Sequence, residues 1–128
     1  MRAVDTNVLV RLLARDDARQ VKAAEGFVAK GAWVSHLVLL ESVWVLISVY
    51  DRGPAEIATA VEMLLSHKHL TLQDSDVVLA ALAQYLAKPA VGFSDCLVLE
   101  VARKAGHLPL GTFDRHLSKL DGAQRLVG

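Results

Sequence analysis

The chain has 128 residues, 53% of them hydrophobic and 22% charged. That is the length of one domain with a core of its own, and the composition excludes a disordered, collagen-like or low-complexity chain. Fourteen Lys and Arg balance fourteen Asp and Glu, so the formal net charge is zero, and the one cysteine is Cys96. These counts exclude nucleic-acid binding by bulk positive charge, though not by a local basic patch, and they exclude a disulfide framework or multi-cysteine zinc site.

In chain order, Arg2-Ala3-Val4 is a brief strand, and Asn7 to Ala14 follows with helical apolar spacing. Asp17 with Gln20 resembles a capping box, opening a second helix that ends near Gly31. Ala32-Trp33-Val34 is a short buried strand, Ser35 caps a helix running to about Asp51, and Gly53-Pro54 starts another. Leu70-Thr71-Leu72 reads as a strand; Asp74 or Ser75 caps a helix that must end before Pro89. Ser94 or Asp95 caps the next helix, which Gly106 closes. Leu108-Pro109-Leu110 is strand-like, Asp114 to Leu120 is helical, and Arg125-Leu126-Val127 is a last strand. The alternation predicts a helix-rich α/β fold with a small parallel sheet, in a single domain over residues 1–128.

Nothing resembles a targeting segment, since Arg2 is followed almost at once by Asp5. Gly31 to Tyr50 is apolar enough to consider as a membrane span. Glu41 in its middle would cost ~2.5–3.5 kcal/mol in a bilayer, and the stretch divides into a strand-like and a helix-like piece. It reads as buried core. The expectation is a soluble, cytoplasmic protein with no membrane partner.

Four carboxylates fall at telling places. Asp5 ends the first strand, where open α/β sheets bind ligands and where Asp also caps helices well. Glu41 has Leu37, Val38, Trp44 and Val45 as its helical neighbours. A helix apolar almost all round implies burial, and a buried lone carboxylate needs compensation. Asp95 lies on the side of Val98, Leu99 and Ala102, with Glu100 and Lys104 turned towards water; Asp114 follows strand-like Leu110 in Thr112-Phe113-Asp114. Oxygen-only ligands suit a hard cation such as Mg²⁺ or Mn²⁺. Two bare carboxylates ~4 Å apart repel by roughly 4 kcal/mol at an effective dielectric near 20, so a cluster needs a metal or a trapped proton.

Four ordered segments carry a resemblance to a known family. They are Val4-Asp5-Thr6-Asn7-Val8-Leu9, Leu40-Glu41-Ser42-Val43-Trp44-Val45-Leu46, Phe93-Ser94-Asp95-Cys96-Leu97 leading to Ala105-Gly106, and Thr112-Phe113-Asp114. Together the sequence resembles the PIN-domain ribonucleases, and within them the VapC-type toxins of type II toxin–antitoxin (VapBC) pairs. The resemblance implies a three-layer α/β/α fold with about five parallel strands in order 3-2-1-4-5. It implies that Asp5, Glu41, Asp95 and Asp114 are catalytic and bind Mg²⁺ or Mn²⁺, with Asn7, Thr112 and Ser94 supporting them by hydrogen bonds. It further implies a metal-dependent endoribonuclease, hence a hydrolase, that forms a homodimer and is blocked by a cognate antitoxin. The chain departs from the family's pattern at Cys96, where alanine is more usual, and in lacking net positive charge.

Arg115, His116 and Lys119 adjoin Asp114 and are placed to meet RNA phosphates; Arg11, in the spaced series Arg11, Arg15, Arg19 and Lys22, is a further contact. His67 and His69 alternate but lack a third ligand for zinc. The sequence leaves two alternatives. One is a Mg²⁺-dependent phosphatase with Asp5 as nucleophile, although that chemistry wants a second Asp where Asn7 stands. The other is a catalytically silent PIN-like scaffold.

Overall fold

The computed structural model describes residues 1–128. Helices and short strands alternate as β1 (Arg2–Ala3), α1 (Thr6–Ala14), α2 (Ala18–Val28), β2 (Ala32–Val34), α3 (His36–Ser48), α4 (Pro54–Ser66), β3 (Leu70–Leu72), α5 (Ser75–Ala87), α6 (Phe93–Ala105), β4 (Leu110–Thr112) and β5 (Ala123–Arg125). Short 3-10 turns, Pro89–Val91 and Leu117–Lys119, precede α6 and β5. The architecture is α/β with parallel strands, as expected. No helix is long and apolar enough to cross a membrane.

The chain divides into two compact units, Met1–Ser75 and Asp76–Gly128. In the first, β2 lies between β1 and β3, all parallel, with Arg2 opposite Ala32 and Val34 opposite Leu72. Parallel neighbours require crossover connections; α1 and α2 supply one, α3 and α4 the other. In the second unit β4 and β5 are parallel, with Leu110 opposite Ala123. Both parts of the expected order, 3-2-1 and 4-5, are present, as two sheets rather than one continuous ladder. β1 is only two residues long, so it has few backbone groups beyond those committed to β2.

Local chemistry explains the element ends. Asp17 accepts the N–H groups of Arg19 and Gln20 and starts α2; Ser35 accepts that of Val38 and starts α3. Gly53 precedes Pro54, whose missing N–H costs nothing at a helix start, and the Glu56 carboxylate takes the Gly53 N–H. Gly106, at φ +83°, closes α6.

Four expected boundaries are corrected. The N-cap of α6 is Gly92, not Ser94 or Asp95, because the preceding 3-10 turn delivers the chain in a positive-φ conformation that glycine tolerates. β4 begins at Leu110, whose N–H donates to the Gly122 carbonyl; Pro109 has no N–H to pair. The expected helix from Asp114 to Leu120 shrinks to the 3-10 turn, with the Asp114 carboxylate taking the Leu117 N–H. β5 starts earlier than expected, at Ala123, directly after Gly122 at φ +94°.

Candidate metal centre and nucleic-acid surface

In the first unit, Asp5 is the N-cap of α1, its Oδ1 accepting the Val8 N–H at 3.0 Å. The next residue, Thr6, donates its hydroxyl to Glu41 Oε1 on α3 at 2.8 Å. Asp5 and Glu41 are thus tied to one local frame through the first turn of α1. Each bond engages one carboxylate oxygen and leaves the other for a further partner. Thr6 was not singled out from the sequence. The only signal was its place beside Asp5 at a helix start, where a hydroxyl commonly serves a cap.

The setting of Glu41 differs from the expected one. Glu41 is exposed, and its helical neighbours Leu37 and Trp44 are 78% and 64% exposed. An apolar surface all round α3 led to the expectation of burial, but only the stripe Leu39, Ser42, Val43 and Leu46 is covered. Desolvation therefore supplies no constraint on Glu41; the bond from Thr6 does.

In the second unit, Asp95 sits half-buried in the first turn of α6. Burial holds its carboxyl above the ordinary aspartate range, and the charge of Asp114 adds to this. Asp114 is pulled the other way. The Leu117 N–H, at 2.8 Å from Oδ1, holds it below the usual range against a desolvation effect, with the His116 N–H and ring helping. Thr112 supports this turn, its Oγ1 accepting the Asp114 N–H at 3.0 Å. Asp95 thus lies in the field of Asp114, and the two carboxyls are pushed in opposite directions by their surroundings.

The remaining residues are placed as follows. Asn7 is exposed and lines a hollow with Arg11, Gln20, Ala24 and Phe27, while Thr6 holds Glu41. Ser94 is exposed in the first turn of α6 and is not its cap. Arg11 is engaged by Asp16 at 2.6 Å, which also accepts the Tyr50 hydroxyl. Arg115, His116 and Lys119 are exposed in the segment after Asp114. Cys96 is fully buried, and its thiol is pushed up to about 11, chiefly by burial, so it remains protonated and inert. Glu100, expected to face water, is buried. Gln84 and Arg103 donate to its two oxygens at 3.0 and 3.2 Å, which explains how a carboxylate is held there.

No group of three or more His, Cys, Asp or Glu side chains is gathered as a ready-made metal site. What the structure does show is Glu41 held by Thr6, the chain neighbour of Asp5, and Asp95 lying in the field of Asp114. The donors are all oxygen, which suits a hard divalent cation rather than zinc or copper.

The chain matches the PIN domain family model over residues 2–123. It belongs to the PIN-domain family. PIN domains are in general metal-dependent nucleases, which places the chain among likenesses that hydrolyse phosphodiester bonds. No curated protein and no solved structure matches it.

Proposed function

We propose that this protein is a Mg²⁺- or Mn²⁺-dependent endoribonuclease, and that it is the toxin of a type II toxin–antitoxin pair. The observation that carries the nuclease reading is that, in a PIN-family chain, Thr6 beside Asp5 holds Glu41 and Asp95 lies in the field of Asp114. The resemblance to the family assigns its four acids to Asp5, Glu41, Asp95 and Asp114.

In this reading Asp5, Glu41, Asp95 and Asp114 hold the metal. When bound, a divalent cation supplies a water of lowered pKa and positive charge for the phosphodiester oxygens. The protein's own residues do the positioning. Thr6 fixes the rotamer of Glu41, Val8 fixes Asp5, and Thr112 with Leu117 fixes Asp114. Arg115, His116 and Lys119 are free to meet RNA phosphates as a local basic patch on an otherwise neutral protein.

The toxin assignment rests on the resemblance to VapC-type chains. An exposed apolar face on α3, Leu37, Trp44 and Ile47, favours protein partners, either a second copy or an antitoxin. A cytoplasmic location belongs to the same reading.

The test is cleavage of a structured RNA by purified protein. Cleavage should require Mg²⁺ or Mn²⁺, stop in EDTA, and leave 5′-phosphate and 3′-hydroxyl ends. Asp5→Asn, Glu41→Gln and Asp95→Asn should each reduce it to background while remaining folded. Undiminished cleavage in EDTA would overturn the mechanism. For the toxin role, induced expression should arrest growth of a host cell, and the Asp95→Asn variant should not.

A further inference from the structure

The chain has three phenylalanines, and two of them have partners. Phe93 is 2% exposed and meets the Tyr85 ring edge-on at 6.0 Å. Phe27 lies beneath the Arg2 guanidinium, 3.9 Å from the ring centroid. Phe113 has neither ring nor cation against it and is 68% exposed. Hiding such a side chain is worth roughly 1.5–3 kcal/mol, which a ligand stacking on it would gain.

The segment is ordered on both sides of the ring. The Thr112 carbonyl accepts the Leu126 N–H at 2.7 Å, and the Thr112 hydroxyl accepts the Asp114 N–H at 3.0 Å. Phe113 therefore stands on a fixed backbone, immediately before the acid Asp114. Exposed Arg115, His116 and Lys119 follow in the next six positions, and the ion pairs of the structure use neither Arg115 nor Lys119. An exposed aromatic ring followed in the chain by exposed cations is complementary to a nucleobase with its phosphates.

We propose that Phe113 is a stacking platform for one unpaired base of a single-stranded RNA, with the flanking phosphates on Arg115, His116 and Lys119. This rests on the nuclease reading above and narrows its substrate to a strand whose bases are open. Stacking on an aromatic face accepts any base and anchors the chain next to Asp114 without reading sequence.

The experiment measures binding of a fluorescein-labelled single-stranded RNA oligomer by anisotropy, in EDTA so that nothing is cut. Phe113→Ala should weaken binding by about 5- to 150-fold, the range of a lost base–aromatic stack. Phe113→Leu should be almost as weak, since it keeps apolar area but not the π-face. Phe113→Trp should bind like wild type, with its added fluorescence quenched by RNA. An oligomer carrying abasic sites should bind wild type as weakly as the intact oligomer binds Phe113→Ala. Melting curves of the exposed-site variants should overlay wild type.

Wild-type affinity in Phe113→Ala or Phe113→Leu would overturn the proposal, and with metal-dependent cleavage intact it would leave the nuclease reading standing. A wild-type protein that neither binds nor cuts RNA would overturn both. Unchanged RNA affinity with a shift to a smaller species in sedimentation would also overturn it, assigning Phe113 to a protein interface.

Discussion

Asp95 is the side chain whose surroundings are most informative. An acid in the first turn of a helix is normally favoured by the dipole, by about 0.3–1 kcal/mol. Yet burial, and then the charge of Asp114, hold the Asp95 carboxyl above its usual range. A carboxyl with a raised folded pKa contributes stability that is fully present below its unfolded value near 3.9 and lost as pH rises through the folded value. At neutral pH its charge is therefore a cost to the metal-free fold. Asp95→Asn should melt at or above wild type in EDTA at pH 7 while losing catalysis, and no cap is sacrificed because Gly92 is the N-cap. A clear drop in melting temperature would show that Asp95 is a structural hydrogen-bonding residue.

How much of the site was legible divides at this scale. Asp5, Asp95 and Asp114 stand at helix starts or after a strand, as their neighbours in the chain indicated, because caps and turns are local. Glu41 was located on the right helix but given the wrong environment. Which apolar stripe of a helix gets covered depends on distant segments, and spacing alone does not choose between Leu39-Val43-Leu46 and Leu37-Trp44. Thr6 was missed for the same reason, since its partner is thirty-five positions away.

Elements that the sequence delimits sharply are those bounded by residues with one conformational role. β2 and β3 fall where expected because Gly31, at φ +92°, and the cap Ser35 bracket one, and Leu70 and Leu72 alternate in the other. β4 moved because Pro109 cannot pair, and the last expected helix is one 3-10 turn because Leu120 is already extended. The turn between α4 and β3 offers a test of the same local logic. His67 Nδ1 accepts the His69 N–H at 3.1 Å, so this nitrogen must be unprotonated. Burial lowers the His67 pKa, with His69 and Lys68 assisting and Glu25 opposing.

A histidine with a depressed folded pKa gives stability that is complete above its unfolded value near 6.5 and lost as pH falls through the folded value. Thermal melts of wild type should thus fall between pH 7 and pH 5 more steeply than those of His67→Asn, which keeps an acceptor for His69 but does not titrate. Parallel curves for the two proteins would remove His67 from the turn's stability.

For the molecule as a whole, class and family were legible because they depend on pattern: alternating helices and strands, and four acidic segments in order. The division of the strands into two parallel sheets was not, because which short strands pair depends on contacts between distant segments that no periodicity fixes. Zero net charge argues against nucleic-acid binding by bulk charge, and exposed Arg115, His116 and Lys119 follow Asp114 in the chain.

The central proposal is that Asp5, Glu41, Asp95 and Asp114 each take part in holding a divalent metal. Electron paramagnetic resonance of Mn²⁺ tests it without any substrate, because free Mn²⁺ gives a sharp six-line signal that binding attenuates. Titrating metal-free wild-type protein should deplete that signal. Asp5→Asn, Glu41→Gln, Asp95→Asn and Asp114→Asn should each weaken the depletion, whichever unit the residue comes from. A wild-type protein that leaves the Mn²⁺ signal intact, or variants that bind Mn²⁺ as wild type does, would contradict the account.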